Sequence, residues 1–185
     1  MKGGNPIKDF NLTIKESPAF YRIIAHLIGD GFAGEKKVPY YSNTCKHLRE
    51  QFKRDLKIFG NIKTYERTPC VMFPKPISNI LRYILDIEFT RPSKLPKGIF
   101  FTSKECKREF LRALFDDEGC ISVALYIGMS NHRIIKEINN LLSEFGIKTN
   151  KILKVKQITG NYQFMLIIKK EHLSLFRDVI GFSHQ

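Results

Sequence analysis

No stretch of eighteen apolar residues occurs in this chain of 185 residues, which excludes a transmembrane helix. The opening Met1-Lys2-Gly3-Gly4-Asn5 has no apolar signal-peptide core, so a cytoplasmic protein with no membrane partner is expected. The four cysteines (Cys45, Cys70, Cys106 and Cys120) form no C-x-x-C pair and have no histidine at metal spacing. A zinc site and a disulfide framework are therefore not expected; four unrelated, partly buried thiols are. Acidic residues are also scarce, 18 Asp and Glu against 31 Lys and Arg, for a formal net charge of +13.

The basic excess is spread along the chain, with 18 basic against 9 acidic residues in 1–98 and 13 against 9 in 99–185. A neutral domain with a basic tail is thereby excluded. A distributed excess of this size predicts a polyanionic partner, nucleic acid first among them. A lysine-rich thermophile surface would give the same count, and the motifs below weigh against it. An apolar fraction of 43% suits a soluble globular chain with a real core.

Ser17-Pro18 reads as N-cap and first position of a helix that runs to about Gly29. Phe32 to Asn43 reads as a hairpin turning around Gly34-Glu35-Lys36-Lys37, its second strand at an edge or bulged because of Pro39. Thr44 to Phe59 reads as an amphipathic helix with Leu48, Phe52, Leu56 and Phe59 on one face, closed by Gly60. Strands over Asn61–Arg67 and Cys70–Phe73 follow. Pro76 then starts a helix that should bury Ile77, Ile80, Leu81, Ile84 and Leu85. The proline-rich, basic stretch Glu88–Gly98 is the one good linker.

The second half repeats the order. Ser103 should cap a helix to Asp117; Cys120–Tyr126 and Ile127–Ser130 should be strands; His132–Phe145 should be a helix closed by Gly146. Ile152–Ile158 and Tyr162–Lys169 should pair over Thr159-Gly160-Asn161, before a last helix at Glu171–Ile180. Ser42-Asn43-Thr44 matches Ser130-Asn131-His132, and Phe59–Thr64 matches Phe145–Thr149 with one residue deleted. Each half thus reads αββαββα, and the chain is an α+β pseudo-dimer. It divides into an arm (1–16), a first repeat (17–87), a linker (88–102) and a second repeat (103–185).

The signature of the duplication is a pair of stretches, Ile23-Ile24-Ala25-His26-Leu27-Ile28-Gly29-Asp30-Gly31 and Leu111-Arg112-Ala113-Leu114-Phe115-Asp116-Asp117-Glu118-Gly119. Small residues four apart, Ala25 and Gly29 in one copy, and Ala113 in the other, let two helix backbones approach closely. Side by side, such helices bring Asp30 and Glu118 together, although they lie 88 residues apart in sequence. Two adjacent carboxylates repel unless a cation lies between them, so the arrangement implies Mg²⁺ or a similar hard ion. The backbone carbonyls of Gly29 and Asp117 are natural extra ligands. His26 reads as a packed or interface histidine. Asp116 reads as a cap or a partner for a base, since adjacent helical residues point to different faces.

Both stretches resemble the LAGLIDADG motif of homing endonucleases at all nine positions, one ending Gly-Asp-Gly and the other Asp-Glu-Gly. The resemblance, to the single-chain, two-repeat type, covers Ser17 to Ile180. It implies two four-stranded antiparallel sheets forming a DNA-binding saddle, with the motif helices at the interface. It also implies a monomer cutting both strands of a long asymmetric DNA site with Mg²⁺ (or Mn²⁺ as a substitute), with Asp30 and Glu118 as catalytic, metal-binding acids. Many relatives carry a lysine just after the second strand of each repeat. Here those places are read as Asn43 and Asn131, with Lys46 and Arg133 close by.

For double-stranded DNA, strand alternation nominates Lys36, Lys37 and Tyr40 in the first hairpin, and Lys63, Tyr65 and Arg67 after it. In the second half it nominates Ser122, Tyr126, Arg133, Lys154, Lys156 and Gln163. Two rival readings stay open: a catalytically weak or inactive relative that regulates transcription by binding DNA, and a maturase that binds structured RNA. Met1 is not a nucleophile and Gln185 is not an asparagine, so splice-junction chemistry at the ends is not expected.

Overall fold

The computed structural model describes residues 14–34, 37–86 and 88–183. Helix α1 (Pro18–Gly29) starts where Ser17 caps it, the Ser17 Oγ accepting from the Phe20 amide, with Pro18 at the first position. A hairpin of β1 (Gly31–Phe32) and β2 (Tyr40–Ser42) leads to α2 (Lys46–Asp55) and a 3-10 turn at Leu56–Phe59. Next come β3 (Tyr65–Arg67), β4 (Cys70–Met72) and α3 (Lys75–Leu85). After the linker, α4 (Lys104–Glu118) runs into a hairpin of β5 (Gly119–Ile121) and β6 (Leu125–Met129), then α5 (His132–Glu144). The chain ends with β7 (Leu153–Lys156), β8 (Tyr162–Ile167) and α6 (Leu173–Val179).

The strands form two antiparallel four-stranded sheets of identical topology, β1-β2-β4-β3 and β5-β6-β8-β7. With the same helix order in each half, this is the duplicated α+β fold expected from the sequence. Helices α1 and α4 pack along one another at the centre. A surface helix is apolar on one stripe only, whereas α1 is buried from Phe20 to Ile28 except at Arg22. Ala25 and Ala113 are fully buried, as small residues between close helices should be. Among the described residues no helix is long and apolar enough to cross a membrane.

Several elements depart from the sequence reading, each for a local reason. Pro39 stands just ahead of β2, so β2 is a central strand, pairing with both β1 and β4. The segment Cys120–Tyr126 is not one strand; it folds back on itself, with the Ser122 amide donating to the Ala124 carbonyl. Helix α3 buries a narrower stripe than its apolar spacing suggests: Ile77, Ser78 and Leu81 are covered while Ile84 is 56% exposed. All four cysteines are free thiols.

One polar device holds the helices together. Arg22 on α1 sends Nε and Nη2 to the two carboxylate oxygens of Asp55 at the end of α2 (2.8 and 2.7 Å) and Nη1 to Glu109 on α4 (2.9 Å). Asp55 and Glu109 are both buried; removing the guanidinium would strand Asp55 without its counter-charge, while Glu109 would keep Arg112 and Arg108. Substitution Arg22→Ala is expected to destabilise the fold by about 3–5 kcal/mol, measured by urea denaturation. The double variant Arg22→Met, Asp55→Leu should lose much less, because Glu109 keeps Arg112 and Arg108 and no buried carboxylate is left unpaired.

Candidate functional site

Both motif stretches end in the same way, a helix stopped by an acid and followed by a glycine that begins a strand. The glycines are required sterically. A Cβ on Gly31 would stand 2.4 Å from the Leu27 Cα, and one on Gly119 2.4 Å from the Phe115 carbonyl oxygen. The chain can therefore fold back onto its own helix only there, which fixes Asp30 and Glu118 at the two turning points. The helices also touch at this end. A Cβ on Gly29 would lie 2.9 Å from the Cβ of Asp117 and 3.4 Å from the Cγ of Glu118.

The two halves thus bring three carboxylates into one small region. Asp117 is fully covered. Its Oδ2 lies 2.8 Å from Nδ1 of the buried His26, and its Oδ1 accepts from the Tyr41 hydroxyl at 2.6 Å and from Asn43 Nδ2 at 3.1 Å. Burial, together with the charge of Asp117, pushes the Tyr41 hydroxyl far above its usual range, which keeps it a donor. His26 is the interface histidine expected from the sequence. Asp116 does not cap the helix; its Oδ1 accepts from the Ser183 amide and ties the C-terminal segment to α4.

Asp30 and Glu118 stand where the charge is least compensated. Burial first, then the charge of Asp117, raises Asp30 to about 6, partly offset by the Asn43 hydrogen bond (3.4 Å). Burial first, then the charges of Asp30 and Asp117, raises Glu118 to about 7. Among the described residues neither acid has a lysine or arginine within ion-pair distance. Two hard, undercompensated carboxylates at adjacent helix ends suit a small divalent cation, which is usually held by one or two carboxylates with waters and substrate phosphates. The Gly29 and Asp117 carbonyls lie in the last helical turns, where the intrahelical ladder has run out. No group of three or more His, Cys, Asp or Glu side chains arranged to hold a metal occurs among the described residues, so further oxygens would have to come from backbone, water or ligand.

The site is less symmetric than the sequence suggests. In the first hairpin Gly31 pairs with Tyr41, and in the second Gly119 pairs with Ile127. The second loop is therefore two residues shorter, and Met129, not Asn131, takes the place of Asn43. Asn131 instead occupies the place of Cys45, capping α5 with Oδ1 accepting from the amides of Arg133 and Ile134. The match of Ser42-Asn43-Thr44 with Ser130-Asn131-His132 is thus out of structural register by two residues. Arg133 pairs with Glu137 (2.8 Å) and Lys46 is exposed at the start of α2.

Each sheet has one face on the helices and one open face. In the first sheet Tyr41 and Val71 are fully buried, which puts Phe32, Tyr40, Tyr65 and Arg67 on the open side. Phe32 and Tyr40 stack there (5.4 Å), with Lys37 over the Phe32 ring (5.9 Å). Lys63 is exposed just before β3, and Lys36 lies outside the described residues. In the second sheet Leu125, Ile127 and Leu166 face the helices, which puts Tyr126 and Gln163 on the open side. Pairing of Lys154 with Phe164 and of Lys156 with Tyr162 places both lysines on the helix side instead, Lys154 lying over the Tyr162 ring (4.1 Å). Alternation along β7 was right, but which parity faces outward depends on pairing with β8, which β7 alone does not encode. Ser122 sits in the turn between β5 and β6.

Sequence reasoning missed Tyr41, Asp117 as a side chain, and the place of the linker beside Glu118. A cavity of about 420 Å³ opens beside Glu118 and Gly29, bounded by Met129, Asn131, Gln163 and the linker residue Arg91.

Comparison with known proteins agrees with this architecture. Residues 105–181 match the LAGLIDADG-like domain family. Along 97% of its length the chain is 28% identical to a glutamine–fructose-6-phosphate aminotransferase of Methanocaldococcus jannaschii. It is 26% identical, over 98% of its length, to a probable translation initiation factor IF-2 of Thermococcus kodakarensis. It spans only 17% and 16% of those two relatives. Among solved structures, I-DmoI in complex with DNA and Mn superposes with a TM-score of 0.65 at 13% identity, covering 91% of this chain and 98% of that one. The homing endonuclease I-WcaI bound to its DNA recognition sequence gives 0.62 at 16% (97% and 89%). The N-terminal LAGLIDADG domain of DUF199/WhiA gives 0.58 at 12% (94% and 88%). With two motif helices packed at the centre of a duplicated fold, the chain shares the fold of these structures, and its residues 105–181 match the LAGLIDADG-like domain family.

Proposed function

We propose that the chain is a divalent-metal-dependent DNA endonuclease that binds a long asymmetric duplex across its two sheets and hydrolyses both strands at Asp30 and Glu118. The observation that carries this reading is the pair of undercompensated acids at the abutting helix ends, held there by fold-back glycines. A protein that merely bound DNA would gain nothing from two carboxylates facing phosphates. When bound, a divalent ion would lower the pKa of a water molecule and offset charge on the phosphate. Asp30 and Glu118 would hold Mg²⁺, or Mn²⁺ in its place, assisted by the Gly29 and Asp117 carbonyls.

The rest of the chain would supply binding. Tyr40, Tyr65, Arg67 and Lys37 on the first open face, with Tyr126 and Gln163 on the second, would read groove edges, while the net charge of +13 supplies sequence-independent affinity. Lys63, Lys154 and Lys156 would contribute to that field from the periphery. The repeats at 17–87 and 103–185 would each take one half of the target, as one monomer. The aminotransferase and the initiation factor have unrelated named activities and share this one segment, which argues that neither activity resides in it. A second reading, DNA binding without cleavage, is favoured by Asn43 and Met129, which put no cation at either place where the motif's relatives carry lysine.

A duplex selected from a randomised pool in Ca²⁺ and then given Mg²⁺ or Mn²⁺ decides between them. The wild type is expected to cut both strands, and Asp30→Asn or Glu118→Gln to cut at least about 100-fold more slowly while still binding. Specific binding with no cutting in either metal would establish the second reading, and selection of folded RNA in preference to duplex would point to a maturase.

The same acids make a stability prediction that needs no substrate. Both have folded-state pKa values above their ordinary ones, at about 6 and about 7, so the folded protein binds protons more tightly than the unfolded chain. Their stabilising contribution is complete below pH 4 and is lost as pH rises through 6 and 7. The urea midpoint of metal-free protein is therefore expected to fall between pH 5 and pH 8, with a shallower fall in Asp30→Asn and Glu118→Gln. Added Mg²⁺ should raise the midpoint more at pH 8 than at pH 5; equal increments at both would contradict binding to these carboxylates.

A further inference from the structure

Among the described residues, none that the second repeat contributes to the cavity beside Glu118 is a cation. Met129 is apolar and 9% exposed, Asn131 spends its Oδ1 on the α5 cap, and Arg133 is paired with Glu137. The linker fills the gap. Phe89, Thr90, Arg91 and Pro92 form one wall of the cavity that Glu118 and Gly29 share. Arg91 is exposed, and among the described residues no carboxylate pairs with it.

Its position is fixed from both sides. Phe89 is 1% exposed, and Leu95, also 1% exposed, donates its amide to Glu137 Oε2 at 2.7 Å. Between them Asn131 Nδ2 donates to the Pro92 carbonyl at 3.3 Å, so the residue that caps α5 also clamps the linker against the groove. Arg91 itself adopts φ +67°. That left-handed conformation is unfavourable for a long side chain and more so ahead of a proline, and such conformations persist where the surroundings impose them. A glycine would sit there without strain. The position holds an arginine instead, at the mouth of a cavity with an undercompensated carboxylate.

We propose that Arg91 contacts the backbone phosphate at the Glu118 half of the groove, so that the linker supplies the cation which the second repeat's wall of that cavity lacks. This inference rests on the reading of the groove as a duplex-binding site. A guanidinium suits the role because it forks onto two phosphate oxygens and stays charged at all working pH values. Asp30, on the first repeat, has Asn43 as its polar neighbour, and of the two acids only Glu118 lines the linker's cavity, so the two strands of a target would meet different partners.

The test compares wild type, Arg91→Gly and Arg91→Lys on one selected duplex, with each strand end-labelled. Arg91→Gly keeps the backbone conformation and removes only the side chain. The dependence of log K on log salt, measured in Ca²⁺, should become shallower by about one counterion in Arg91→Gly and recover in Arg91→Lys. In Mg²⁺, Arg91→Gly should cut one strand about tenfold more slowly than the other and accumulate nicked duplex, with partial recovery in Arg91→Lys. An unchanged salt slope with equal loss on both strands would overturn the proposal. If the wild type binds but does not cut, the endonuclease reading fails while the salt slope still decides the role of Arg91; if no duplex is bound, both fall.

Discussion

Everything in this protein is subordinate to the close approach of α1 and α4 at their C-terminal ends. The contact is possible only because Gly29 has no side chain, since a Cβ there would already be 2.9 Å from Asp117. Its consequence is electrostatic. Three carboxylates that no chain would bring together for stability alone share one corner of the molecule, and the fold must answer for each. Asp117 is answered internally, by His26, Tyr41 and Asn43. Asp30 is answered in part, by Asn43. Glu118 is not answered by its own repeat at all. Burial first, and the uncompensated neighbouring charges after it, raise Asp30 to about 6 and Glu118 to about 7.

The Asp117 network explains how the strain is contained. Its carboxylate points into the first repeat, where it meets side chains from α1 and the β2 end, so one acid of the second half serves as a bolt between halves. A buried carboxylate with three good partners is held far more firmly than an exposed ion pair. Arg22 plays the corresponding part at the other end of α1, joining α2 and α4 through Asp55 and Glu109. The central helices are thus pinned polar-fashion at both ends and packed by small and apolar residues between.

Much of this was legible in the sequence because it depends on local rules. Ser17-Pro18 and Ser103 start their helices as caps should, and the doubled acid-glycine ending located both turning points. What was not legible depends on pairing between elements. Asn131 resembles Asn43 in its neighbours, Ser and then a helix, yet the second hairpin is two residues shorter and moves Asn131 into a cap. Lys154 and Lys156 alternate correctly with Leu153 and Val155, but strand alternation gives two faces without saying which is outer. The buried role of Asp117 could not be read either: beside Asp116 and Glu118 it looked like one acid among three, and only the position of Gly29 on the facing helix singles it out.

The asymmetry of the halves follows from their being one chain. A duplicated fold places two equivalent acids at its axis, and identical repeats would be bound to offer both the same surroundings. A linker occurs once. It leaves the first repeat after α3 and, before reaching α4, walls the cavity lined by Glu118, where Phe89 and Leu95 anchor it and Asn131 holds it down. No symmetric dimer could place such a segment at one acid and not the other. The net charge of +13 is spread over both halves, but the acids at their junction are not alike. One is moderated by an amide from its own repeat, and the other shares its cavity with an arginine from the strap that joins the repeats.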